Sequence, residues 1–217
     1  MICRTRIQTL TKTAFLGMIK QYSRGSSPRL YNIIKVSMAK RIKPAEEIAH
    51  HEAGHAVISY RLRPLPISLA GSVTIVPTES NLGSVKQEWD LEREYKDQII
   101  ILLSGFAAEK KYNPRLKSPS YSDMKKAADL WEETSLKFSD LNDETDRIVN
   151  QNWKVIKAIA EKLLIHKTID LDIVGQVIDA IDEGVDWEQA FEATMSGVPY
   201  CLLHLMIEKA PWLYKST

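Results

Sequence analysis

Cysteine is nearly missing from this 217-residue chain: Cys3 and Cys201 stand at opposite ends and make neither a CxxC pair nor the spacing of a disulfide framework. Stapling by a disulfide framework is thereby excluded, and a reducing, intracellular setting is expected. Long apolar runs are missing too. Of the two equally long stretches without a charged side chain, Ala193 to Ile207 is interrupted by Gly197 and Pro199 and Pro64 to Thr78 by Pro66 and Gly71, and both fall short of the roughly 20 residues that a spanning helix needs. No membrane span is expected. The Gly-x-x-x-x-Gly-Lys-Ser/Thr phosphate loop does not occur, and no internal repeat is evident. Finally, residues 1–41 lack acids: they hold nine of the 29 Lys and Arg and none of the 28 Asp and Glu.

What remains is close to an ordinary globular composition, with 44% hydrophobic and 26% charged residues and a net charge of +1. The basic leader leaves 20 bases against 28 acids in the body of the chain. Such a leader fits a transit-peptide-like segment, a non-folded tail, or a stretch upstream of a true start at Met38; the last two are preferred. Tyr22 and Tyr31 are too few to offer nucleic acid a stacking platform, and a solvated charge run is the simpler account, so no nucleic-acid partner is expected. Cytoplasmic localisation follows, with an organelle as the alternative if the leader directs import.

The pattern turns helical at Pro44, with Glu46 and Glu47 where the positive end of a helix favours acids, and predicts a helix over 45–61. A β-branched run over 68–76, turn residues, and a short run over 84–87 predict a hairpin. Residues 91–112 read as a buried helix and 118–123 as a loop. Amphipathic helices follow over 124–138 and 143–166, and a shorter one over 171–181. The expected class is α+β, predominantly α-helical, with one small β-hairpin or sheet beside the helix over 45–61. Three parts are expected: the leader 1–41, a domain over 42–183, and a helical extension over 184–217.

Three of the five histidines fall in the string Ala49-His50-His51-Glu52-Ala53-Gly54-His55. On a helix His51 and His55 lie on one face a turn apart, near enough to share an ion. In a His-Glu-x-x-His arrangement the imidazoles bind zinc, while the glutamate, here Glu52, is angled to take a proton from water at the metal. Ala53 and Gly54 are expected to leave the metal face uncrowded. His50 points about 100° away from His51 and suits packing better than ligation. Zinc used in catalysis has three protein ligands, so one is still to be assigned. A metzincin extension requires glycine at 58 and histidine at 61, where this chain has Ile58 and Arg61. Glu79 and Glu88 sit in or just after the hairpin, where a thermolysin-like ligand does not belong. The residues alone do not select the third ligand.

The strings AHHEAGHAVIS, SVTIVPTESNLGS, IILLSGFAAEKKY and YSDMKKAADLW, with a weaker match at LNDETDRIVNQNWKVIKAIAEKLLIHKTID, resemble the zinc-protease domain of the FtsH-type, membrane-anchored AAA+ metalloproteases. The resemblance covers residues 45 to 180. It implies a helical zinc-peptidase fold, with Asp123 as the third ligand and Glu109 beside the metal supporting the residues that bind it. Asp123 also suits a cap for a helix beginning at Met124. The resemblance further implies that Asn81, Leu82, Gly83, Ser84 and Val85 border the cleft and pair with an extended polypeptide substrate.

The ATPase module and anchor of that family are not seen in this sequence. Thr78-Glu79 and Ser120-Tyr121 replace its usual Arg-Gly and Gly-Ala pairs. The implied activity is that of an ATP-independent zinc endopeptidase on unfolded chains, alone, as a homo-oligomer or with an ATP-driven unfoldase. The alternative is a non-catalytic or partner-dependent binding and scaffold protein.

Overall fold

The computed structural model describes residues 44–62, 71–78, 82–87, 94–116 and 119–198. Among them are seven helices and a small antiparallel sheet, the expected helix-dominated α+β arrangement. The leader 1–41, strand residues 68–70, Asn81, Glu79, Glu88 and residues 199–217 lie outside the described residues.

Helix α1 (Ala45–Arg61) is the centre of the molecule, and every residue from Glu47 to Tyr60 in it is buried. A helix enclosed on all sides belongs to a core, so His51, Glu52 and His55 do not lie on a solvated face. Pro44 precedes its first turn and its carbonyl accepts from the Glu47 and Ile48 amides. Helix α2 (Tyr95–Tyr112), buried continuously from Ile99 to Gly105, packs along α1 more extensively than any other element. His55 pairs with Ile101 and His51 with Glu109, so the two helices run antiparallel.

Their close approach needs a missing side chain. A Cβ at Gly54 would stand 2.8 Å from both the Ser104 carbonyl oxygen and Ala108 Cβ. Gly54 therefore serves the α1–α2 crossing and does not clear the metal face. Because the nearest obstacle is backbone, Gly54→Ala is expected to lower stability by about 1–3 kcal/mol, as overpacking does, read as a lower urea midpoint at unchanged slope.

Helix α3 (Tyr121–Glu132) and helix α4 (Phe138–Gln151) both pack on α2. The single helix expected over 124–138 is thus in fact the end of one helix and the start of another. Thr134 Oγ1 bonds the Trp131 carbonyl at 2.9 Å and the buried Trp131 indole donates to the Leu136 carbonyl at 2.7 Å, closing a turn where the helix would otherwise continue. The helix expected over 143–166 also divides, into α4 and helix α5 (Trp153–His166). At the break, Asn152 Nδ2 bonds the Ile148 carbonyl and competes with the helical backbone, while its Oδ1 accepts from Arg61 of α1. The bend lays α5 along α1.

The sheet has the order β2-β1-β3, with β1 (Gly71–Thr74) between β2 (Ser84–Gln87) and β3 (Thr168–Asp170). Val73 is opposite Val85 on one side and Ile169 on the other, and Val73, Ile75 and Ile169 turn into the core. The expected hairpin is β1–β2. Strand β3 has no counterpart in the sequence reading: three residues are too few for a periodic signal. It starts after Lys167, whose positive φ of 66° turns the chain at the end of α5.

Helix α6 (Leu171–Asp182) lies against α1, the sheet and helix α7 (Trp187–Met195). Tyr60 donates to Asp179 at 2.6 Å, and Arg61 pairs with both carboxylate oxygens of Asp182. Phe191 of α7 is fully buried in the core shared with α1 and α2. Among the described residues no helix is long and apolar enough to cross a membrane.

Candidate metal centre

Three side chains from two helices meet at one point. His51 Nε2 and His55 Nε2, on successive turns of α1, are 3.1 Å apart. Asp123 Oδ2 lies 3.2 Å from the first and 3.9 Å from the second. These three form a group able to hold a metal ion. Ligands about 2.0–2.1 Å from a tetrahedral zinc stand about 3.3–3.4 Å from one another, and the three separations bracket that spacing.

The hydrogen bonds behind the imidazoles fix which nitrogen faces the cluster. His55 Nδ1 is 2.7 Å from the Ile101 carbonyl oxygen, which only accepts, so Nδ1 carries the proton and Nε2 presents its lone pair. His51 Nδ1 donates to Glu109 Oε2 at 3.0 Å, with Glu109 itself 1% exposed. Glu109 thus stands behind a candidate ligand and outside the cluster. An acceptor on each Nδ1 orients the ring and raises the basicity of the opposite nitrogen, as is usual for metal-binding histidines.

Asp123 is the third residue of α3 and lies in its first turn; the residue before the helix is Ser120. The expected loop over 118–123 thus gives way to helix three residues earlier, at Tyr121, and Asp123 does not serve as a cap. Its carboxylate is directed at the histidines.

Glu52 is buried on α1 between the two histidines in sequence. A Cβ at Gly83 would lie 2.8 Å from Glu52 Cγ and Oε1 and 2.9 Å from the Thr74 carbonyl oxygen. The start of β2 is pressed against the carboxylate, and only glycine permits it. Ser84 and Val85 continue into β2, with Val85 partly buried on the core; Leu82 is exposed.

His50 is not in the cluster. Its ring stacks on Tyr112 at 4.0 Å, with Trp153 at 5.5 Å, and its Nδ1 bonds the Glu46 carbonyl. Burial drives its pKa below the usual value against the pull of that bond. It is a packing residue.

The metal-free cluster is electrostatically polarised. Burial pulls His51 toward its neutral form, but its bonds to Asp123 and Glu109 and the charge of Glu52 outweigh this, and its pKa is pushed up to about 9. Burial opposes ionisation of Asp123 as well, and the histidines overcome it, holding its carboxyl well below the usual carboxylate range. The sign for stability follows. In the folded metal-free chain His51 keeps its proton up to about 9, against 6.5 as its ordinary value, so its contribution is complete below 6.5 and is lost as pH rises through 9. Asp123 contributes above its ordinary value of 3.8 and loses that contribution as pH falls below it. Chelated protein is expected to show a higher urea midpoint at pH 6 than at pH 9, a difference that His51→Gln reduces.

Two contributors escape a reading of the letters. The Ile101 carbonyl is backbone, which no residue type reveals. Gly105 of α2 faces the imidazoles with hydrogen alone, and the only hint of it is a glycine inside an apolar helical run, a pattern that signals close approach. A scan against protein-family models finds no match to this chain, and a search of curated proteins finds none.

Proposed function

We propose that this protein is a zinc-dependent endopeptidase that hydrolyses peptide bonds in unfolded polypeptides. The observation that carries this reading is the convergence of His51, His55 and Asp123, with Glu52 buried next to His51 and outside the ligand set. A closed structural zinc site uses four protein ligands and has no need of a general base; three ligands with a neighbouring carboxylate suit catalysis. The resemblance to FtsH-type peptidase domains points the same way.

Bound zinc would supply a Lewis acid that polarises the scissile carbonyl and acidifies water. His51 and His55 offer Nε2, and Asp123 Oδ2, as the holding atoms. Glu109 and the Ile101 carbonyl keep both imidazoles aimed. Glu52 takes a proton from the attacking water as its oxygen bonds to the carbonyl carbon, and returns that proton to the nitrogen as the C–N bond breaks. Strand β2 lies at the sheet edge above Glu52, and an extended substrate adds there through backbone hydrogen bonds.

The test is digestion of an unfolded model protein by zinc-loaded chain, with and without chelator, with metal content measured. Chelator-sensitive cleavage restored by zinc supports the reading. One zinc per chain with no cleavage overturns it and leaves a binding or scaffold role.

A further inference from the structure

Helix α2 meets the two imidazoles at three positions one turn apart. Ile101 accepts from His55 Nδ1, Glu109 accepts from His51 Nδ1, and Gly105 lies midway. A Cβ at Gly105 would stand 2.4 Å from His55 Nε2, 2.6 Å from His55 Cε1 and 2.8 Å from His51 Nε2. These are the same nitrogens that face Asp123. Carbon and nitrogen in ordinary contact stay about 3.5 Å apart, so the rings would have to move by several tenths of an ångström or more. Neither is at liberty to move. Each ring is anchored through its Nδ1 to α2 itself, one turn before or after Gly105, and both histidines and Gly105 are buried where α1 and α2 cross.

We infer that Gly105 is a positioning residue of the metal centre: it contributes no ligand atom, and its bare backbone lets both Nε2 atoms converge while α2 grips both Nδ1 atoms. The residues at 101, 105 and 109 form one device, two acceptors flanking a gap. Helix propensity argues against glycine at this site, since glycine inside a helix costs roughly 1 kcal/mol relative to alanine; the gap is what it provides in return. The inference rests on the cluster being a metal site.

The experiment uses the full chain as apo-protein, titrated with cobalt(II) and zinc(II), comparing wild type with Gly105→Ala, and following the cobalt ligand-field spectrum and calorimetric affinity. Wild type is expected to bind one ion, and Gly105→Ala to bind roughly 100-fold more weakly or not at all while keeping its helical circular dichroism. Equal affinity in the two proteins overturns the inference alone. A wild-type chain that takes up no ion overturns the metal reading and this inference with it. Thermal unfolding of apo-protein covers a variant that folds poorly. In the His51→Ala/His55→Ala background, Gly105→Ala is expected to raise the midpoint, as alanine for glycine does within an unobstructed helix. A midpoint lowered as much there as in the wild-type background would mean that the imidazoles are not what Gly105 accommodates, and would overturn the inference.

Discussion

Glu52→Gln is expected to reduce hydrolysis of an unfolded substrate by about 10²–10⁴-fold, the range general acid–base catalysis contributes, while one metal ion per chain is still bound. The side chain is buried, packed under Gly83 just before β2, and lies between the histidines in sequence. Glutamine has the same shape and fits the same space, so the hairpin and α1 keep their positions. What disappears is the ability to take and return a proton. Glu52 supplies no ligand atom to the cluster, so the three holding atoms remain. The comparison is sharp because it separates chemistry from binding: metal stoichiometry and the thermal midpoint stay near wild type while turnover falls. A Gln variant that cleaves at the wild-type rate would remove Glu52 from the mechanism.

The second large effect is loss of metal. Asp123 comes from α3, which packs chiefly on α2, whereas both histidines come from α1. An ion held by all three ties α3 to the central helix. A ligand present at about 1,000 times its dissociation constant stabilises the folded state by about 4 kcal/mol. For a chain of this size that corresponds to a midpoint higher by about 8–16 °C. Chelator is expected to remove this increment from wild-type protein and to leave Asp123→Ala unchanged, because two imidazoles alone hold the ion weakly. Scanning calorimetry with and without chelator checks both halves. An Asp123→Ala protein that retains the full chelator-sensitive shift would place the third ligand elsewhere.

The sequence makes α1 legible for reasons that are local: Pro44 and two acids mark its start, and the His51–His55 spacing announces a shared face. Asp123 is another matter. It lies 72 residues beyond His51, and nothing in its own neighbourhood distinguishes it from a helix cap; only a resemblance spanning several strings singles it out. The helix divisions at 133–137 and at Asn152 are invisible to periodicity because amphipathic spacing continues across them. Their causes are particular side-chain bonds that periodicity does not encode: locally, the Trp131 indole reaching Leu136, and, from another element, Arg61 reaching Asn152. Strand β3 exists only because β1 is there to pair with it. The supports of the site are hardest to read, since a backbone carbonyl has no letter and the merit of Gly105 is the atom it lacks.

The tethering of α1 bears on how the chain acquires its structure. Tyr60 and Arg61 bond to Asp179 and Asp182, partners 119 and 121 residues away, and Arg61 also holds Asn152, 91 residues away. Small helical proteins commonly fold fast because their contacts are near in sequence. Here the central helix is clasped by elements made much later in the chain, and closing such loops costs entropy before any contact repays it. The ligands themselves span 72 residues. A nascent chain emerging from the ribosome therefore displays the His51–His55 pair before Asp123 is made, and the central helix is clasped at Tyr60 and Arg61 only when the C-terminal helices have docked.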